Sequence, residues 1–207
     1  MNEVQAEFRI DNLFVSFIHV CKLPIEHKFK KIERLVQVED YSKLLLDQGF
    51  VWYQDFIAFY MLSDYRSYWI KTTVTESLEI DSVIANARGG QASAIVLPFQ
   101  VTDQERVCVF GDDDTTANFS FTLPARHYQL LFQNRHFTPD EVEAEPNFNC
   151  DDYSDWDEEI ELCLLTFVPA IKPIEPKIIT YKSRLGTKDF STPLTLFDRK
   201  LYQSDDN

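Results

Sequence analysis

Three consecutive carboxylates, Asp112, Asp113 and Asp114, form the tightest cluster of potential chemistry in the chain. A hard cation such as calcium or magnesium takes oxygen ligands of this kind. Adjacent residues rarely converge on one ion, and the glycine and ligand spacing of a calcium loop are missing, so a polar hairpin tip accounts for them better. Asp155-Trp156-Asp157 meets the same objection, lacking the downstream glycine. His19, His27, His127 and His136 lie far apart and make no metal-ligand pattern with one another or with cysteine. No serine occupies a nucleophile elbow, and Cys108 sits within a short apolar strand pattern that favours a packed thiol. Only 5 glycines are present, and the pair Gly89-Gly90 opens no helix, so a phosphate-cradling loop is not expected either. The reading is of a protein without enzymatic activity, metal or cofactor.

What does stand out is a charge pattern. Of 34 acids against 20 bases, eleven fall between Asp140 and Glu161 with no Lys or Arg among them, namely Asp140, Glu141, Glu143, Glu145, Asp151, Asp152, Asp155, Asp157, Glu158, Glu159 and Glu161. The remainder of the chain is nearly balanced. Phe148, Tyr153 and Trp156 are interleaved with these acids, and aromatic anchors among carboxylates suit a basic protein surface. A solvated, unstructured loop is the competing reading. A net charge of −14 repels nucleic acid and attracts basic partners, so direct nucleic-acid binding is not expected. The amino terminus lacks a signal-peptide pattern and no stretch is apolar enough to span a membrane, which predicts a cytoplasmic, monomeric protein with no membrane partner. Cys21, Cys108, Cys150 and Cys163 are too scattered for a disulfide framework and are expected as buried thiols.

The elements that must carry this charge are strands. Alternation peaks over residues 93–134, where Ile95, Leu97, Phe99 and Val101 share one face, as do Phe119, Phe121 and Leu123, and again Tyr128, Leu130 and Phe132. Consecutive antiparallel strands are predicted there. Residues 8–20 predict a first strand with both faces covered, and residues 50–62 a central strand buried on both sides, with Asp55 at a bulge or strand end. Tyr68, Ile70, Thr72 and Val74 predict its hairpin partner, with Trp69 on the opposite face. Ile160, Leu162, Leu164 and Val168 mark a last core strand.

Helical spacing is weaker. Val38, Tyr41, Leu44 and Leu45 predict a short helix near residues 38–48, with Glu39 and Asp40 in its first turn and Gly49 as its left-handed stop. The basic run from Lys22 to Gln37 reads as a solvated amphipathic stretch, and a second short helix is possible over residues 80–87. After Pro169 the prolines preclude a regular helix and predict an extended or edge tail whose Ile178, Ile179, Tyr181, Leu194, Leu196, Phe197 and Leu201 dock on the body. The fold class is mainly β: an antiparallel sandwich-like domain over residues 1–169 with a Pro-rich extension, residues 170–207, packed on it.

Five local stretches carry a likeness to a known family. They are LFVSFIHV, LLLDQGFVWYQDFIAFYML, AIVLPFQVTD, NFSFTLPARHYQLLFQN and IELCLLTFV, together reaching from Leu13 to Val168 with long gaps. The strongest is the alternation Phe119, Phe121, then Leu123-Pro124, a short turn and Tyr128-Gln129-Leu130. In these the chain resembles the competence protein J family, inhibitors of the bacterial DNA-uptake nuclease. The likeness implies a non-enzymatic protein that binds and silences a nuclease, or an immunity-type role towards another basic toxin.

Charge agrees with that implication, because a nuclease groove lined with Lys and Arg to hold phosphates can be occupied by carboxylates. The residues expected to face such a partner are Asp112, Asp113, Asp114, Asp151, Asp152, Asp155, Trp156, Asp157 and Glu158. Two other readings compete. A small-molecule-binding or accessory interaction sandwich would need a buried, ligand-sized cavity, and a carboxylate hydrolase would need a convergent cleft with perturbed acids.

Overall fold

In the computed structural model the chain is described over residues 3–10, 17–22, 45–52, 56–62, 68–86, 92–102, 106–111, 119–138, 140–141 and 161–181. In chain order the strands are β1 Glu3–Ile10, β2 Phe17–Cys21, β3 Phe50–Trp52, β4 Phe56–Tyr60 and β5 Tyr68–Val74. A short helix, α1 Ser82–Asn86, precedes β6 Ala92–Val101, β7 Arg106–Gly111, β8 Phe119–Thr122, β9 Arg126–His136, β10 Glu161–Ala170 and β11 Lys177–Thr180. They form a six-stranded sheet in the order β1-β5-β10-β9-β6-β11 and a five-stranded sheet in the order β3-β4-β2-β7-β8. The fold is thus mainly β, as the alternation predicts, with one departure: β5 and β10 pair in parallel within an otherwise antiparallel pattern.

The two sheets meet face to face. Ile95, Leu97, Phe99 and Val101 of β6, Tyr128, Leu130 and Phe132 of β9, and Tyr68 and Ile70 of β5 point inward, on the faces their alternation predicts. Opposite them lie Ile18, Val20, Ile57, Phe59, Val107, Val109 and Phe121 from the five-stranded sheet. Phe59 stacks on Phe132 across the gap at 4.1 Å, and Phe121 meets Phe167 edge-on at 5.6 Å. Such aromatic pairs contribute about 0.5–1.5 kcal/mol each beyond their buried area. The outer face of the five-stranded sheet is buried too, by a second cluster that includes Cys21, Val51, Phe56, Ala58, Tyr60, Cys108 and Phe110. Burial on both sides is what the unbroken apolar run of β4 demands, and in β2 it takes in His19 as well. Cys21, Cys108 and Cys163 are buried, as expected, while Cys150 lies outside the described residues.

Several strand boundaries and partners differ from expectation. Residues 8–20 are not one strand: β1 and β2 belong to different sheets. Residues 50–62 are likewise two strands, β3 and β4, paired antiparallel with Phe50 opposite Phe59, and Asp55 lies outside the described residues. The β5 strand has its predicted faces, yet its neighbours are β1 and β10 rather than the preceding segment. Nor do β6 to β9 pair in succession. Instead β6 pairs with β9, and β7 with β8 in the other sheet, so between β6 and β9 the chain crosses from one layer to the other and back. On β10 the core face is Cys163, Leu165 and Phe167, fully buried, whereas Leu162 and Leu164 lie half-buried on the outer face. A strand reading ELCLLTFVPA is apolar on both parities, and only its neighbours choose the face.

The turn in the Leu-Pro phrase makes the return crossing, from β8 to β9. Leu123 is buried in the core, and the Tyr128 hydroxyl donates to the Pro124 carbonyl at 3.0 Å, which closes the passage from β8 to β9. Burial, partly offset by nearby Arg126, pushes the Tyr128 pKa up and keeps that hydroxyl a donor.

Gly49 ends a helical turn at residues 45–48, as predicted; residues 38–44 lie outside the described residues. Its amide donates to the Leu45 carbonyl at 2.9 Å, and its φ is 86°. The Tyr181 hydroxyl, just beyond β11, donates to the terminal carbonyls of Leu45 and Leu46. The Tyr181 ring covers Gly49 so closely that a Cβ there would stand 2.7 Å from two ring carbons and 3.1 Å from Ile95 Cδ1. Gly49→Ala is therefore expected to destabilise the protein by about 2–4 kcal/mol, from left-handed backbone strain plus displacement of a packed ring. Urea unfolding of the variant against the parent measures it.

Candidate functional site

Register fixes which strand ends lie together. Gly111, the last residue of β7, pairs with residues at the start of β2, where Ile18 is its partner and Phe17 faces Tyr60 at the end of β4. Two residues further on, the Leu62 amide donates to the Glu161 carboxylate at 3.2 Å. Gly111 and Glu161 thus occupy the same end of the sandwich. Asp112 follows the first of these and the acidic segment precedes the second. The expected contact residues Asp112, Asp113, Asp114, Asp151, Asp152, Asp155, Trp156, Asp157 and Glu158 all lie outside the described residues. What is described is the pair of strand ends from which both acidic stretches depart.

At this end the inward-facing positions turn polar. Glu161 is fully buried and accepts a 2.8 Å hydrogen bond from Asn134 Nδ2 as well as the bond from Leu62. Asn134 also approaches Met61 Sδ at 3.7 Å. Its cross-strand neighbour is Ser93, and Asn134 Oδ1 and Ser93 Oγ have no hydrogen-bond partner among the described residues. Burial first, and the Glu161 charge second, push the Cys163 thiol pKa well above its ordinary range, so that thiol is inert. Sequence reasoning counts Glu161 among the displayed acids. The structure corrects this, since a carboxylate with no solvent exposure, bonded across the two sheets, offers nothing to a partner.

Glu141 is corrected in the same way. Arg135 of β9 points to the outer face of the six-stranded sheet and is 4% exposed. Its Nη1 and Nη2 each lie 2.7 Å from a Glu141 oxygen, while Nε and Nη2 bond the two oxygens of Asp81 at 3.1 Å. Asp81 in turn accepts from the amides of Val83 and Ile84 at the start of α1, and Gln133 bonds the backbone at Glu79 and Asp81. Thr138 adds amide and hydroxyl bonds to Glu141. Burial alone would lower the Arg135 pKa, and the bonds to Glu141 and Asp81 more than reverse it. Neither Arg135 nor Asp81 is singled out by the sequence. The legible signal is an Arg near the end of β9, beyond the apolar alternation of Tyr128, Leu130 and Phe132.

The Arg135 bond holds the Glu141 pKa at about 2, against the cost of burial and with help from Thr138. A carboxyl depressed on folding stabilises the protein above its unfolded pKa, and that contribution disappears as pH falls towards the folded value. With the Glu141 side chain 37% exposed, solvent screening leaves about 1–2 kcal/mol of it. Glu141→Gln should therefore be less stable than the parent by that amount at pH 7, with the gap closing between about pH 4 and pH 2 in urea titrations.

Among the described residues, no group of three or more His, Cys, Asp or Glu side chains could hold a metal ion, and no helix is long and apolar enough to cross a membrane. A crystal structure of ComJ from Bacillus subtilis, described as an inhibitor of the DNA degrading activity of NucA, is 14% identical, covering 81% of this chain and 99% of that one at a TM-score of 0.48. A second structure, named crocagin biosynthetic gene J, is 11% identical, covering 82% of this chain and 98% of that one at a TM-score of 0.44. No curated protein matches. The family model for competence protein J matches residues 36–153, more than half of the chain. That stretch includes the Leu123-Pro124 turn pinned by Tyr128 and the helix stop at Gly49. The chain belongs to the competence protein J (ComJ) family.

Proposed function

We propose that this protein is a non-enzymatic inhibitor that binds a DNA-degrading nuclease through an acidic end of its sandwich. The observation that carries the reading is membership of the ComJ family, in which the Bacillus subtilis protein is described as an inhibitor of the DNA degrading activity of NucA. Charge and topology supply the mechanism. Gly111 and Glu161 bring the attachment points of both acidic stretches to one end, so Asp112 to Asp114 and Asp151 to Glu158 can act on one basic surface. Carboxylates there take the place of substrate phosphates among Lys and Arg, and the excess of negative charge speeds encounter.

Titration of the protein into a plasmid-cleavage assay, with a nuclease from the same cell or with NucA, tests this. The expected result is loss of cleavage at an equimolar ratio. Reversing Asp151, Asp152, Asp155 and Asp157 to Lys together should slow association about 10- to 100-fold at low salt and flatten its ionic-strength dependence. Unchanged association at low salt would remove the acidic segment from the interface.

A further inference from the structure

We propose that Asn134 and Arg135, adjacent residues of β9, are positioning residues that fix the two ends of the acidic segment, with Glu141 and Glu161 serving as its anchors and not as partner contacts. This rests on the inhibitor reading. Successive side chains of a strand point to opposite faces. Asn134 therefore reaches inward to Glu161, and Arg135 outward to Glu141. The interval 142–160 begins and ends on one two-residue step of a central strand, although its ends lie on different faces of the sheet.

Each anchor is made by more than one bond. Arg135 spends its Nε, Nη1 and Nη2 on Asp81, Glu141 and the His136 carbonyl, so both Glu141 oxygens are held within the chain, in a group of two carboxylates and one guanidinium that keeps one net negative charge. Glu161 is bonded to both sheets at once, through Asn134 of β9 and the Leu62 amide after β4. Holding both ends removes conformations that the segment would otherwise lose on binding, which lengthens the life of a complex without adding a contact. Asp81 ties the first anchor to α1, making the outer-face helix part of the same support.

Chymotryptic cleavage at Phe148, Tyr153 and Trp156, mapped by mass spectrometry, reads the anchoring without any partner. Glu141→Gln and Arg135→Gln should raise cleavage there about tenfold, Arg135→Lys should fall between Arg135→Gln and the parent because a single ammonium cannot span two carboxylates, and Asp81→Asn should change it less than twofold. Because these variants also lose global stability, cleavage is read against urea: release of the segment end alone exposes little surface, so the extra cleavage should not vary with urea below the unfolding transition. Cleavage of Glu141→Gln at the parent rate, or a rise that steepens with urea as global unfolding does, overturns the proposal, the second because the effect would then be loss of the whole fold. Against the nuclease inhibited in the titration above, Glu141→Gln should dissociate about tenfold faster with its association rate and salt dependence unchanged. Slower association with a smaller salt dependence would make Glu141 a contact residue and overturn the proposal. If the parent protein inhibits no nuclease while the cleavage pattern holds, the inhibitor reading fails and the anchoring stands.

Discussion

Cutting the chain to residues 36–153, the stretch that matches the family model, should leave it unfolded. That cut removes β2, which joins β4 to β7, and β10, which joins β5 to β9. Both sheets lose a central strand, and the ladders on either side have no direct pairing to fall back on. The loss includes Ile18, Val20, Cys163, Leu165 and Phe167, all with no solvent exposure. At about 1.5–3 kcal/mol for each large apolar side chain, the four excluding cysteine amount to roughly 6–12 kcal/mol, comparable with the whole stability of a typical domain. Far-UV circular dichroism and urea titration of the fragment check this, and a cooperative transition would show that the family stretch is a folding unit by itself. The expectation follows from topology, because a sequence match traces a run of residues while a sheet is completed by strands from outside that run.

Glu161→Ala should cost about 3–5 kcal/mol, since removing one partner of a buried ionic hydrogen-bond set strands the others. The Leu62 amide and Asn134 Nδ2 both donate to Glu161 Oε2 and would lose their acceptor, and a void would open at the end of the core. For a chain of this size the melting temperature should fall by about 6–20 °C. Glu161→Gln keeps an acceptor oxygen in place and should cost markedly less. Equal losses in the two variants would mean that the carboxylate charge, rather than the acceptor, holds this end of the sandwich together. The pair of variants thus separates the inter-sheet bond from the charge.

Much of the core was legible before any coordinates. The alternations of β5, β6 and β9 each put one apolar set on one face, and those faces are the buried ones. Where a strand is apolar on both parities the sequence has no vote, so neither the core face of β10 nor the division between β3 and β4 is legible in it. Partner choice was less accessible still. The segments 50–62 and 68–74 are neighbours in sequence and look like a hairpin, yet they belong to different sheets. The candidate site shows the same division. The sequence counted eleven acids as one surface, but Glu141 is matched to Arg135 and Glu161 is buried against Asn134.

The sequence by itself determined a β-rich body with a glycine-stopped helical turn, a large excess of negative charge between residues 140 and 161, and the Leu-Pro and Tyr-Gln-Leu phrase of its family. These are local properties, set by side-chain period, backbone φ and the count of charges. Tertiary structure alone decided that β6 reaches past two strands to β9, that β5 and β10 run parallel, and that both acidic stretches depart from one end. It also decided which carboxylates are consumed inside the fold. A carboxylate's role depends on whether a donor lies within about 3 Å of it, and residues separated by up to 99 positions supply those donors here.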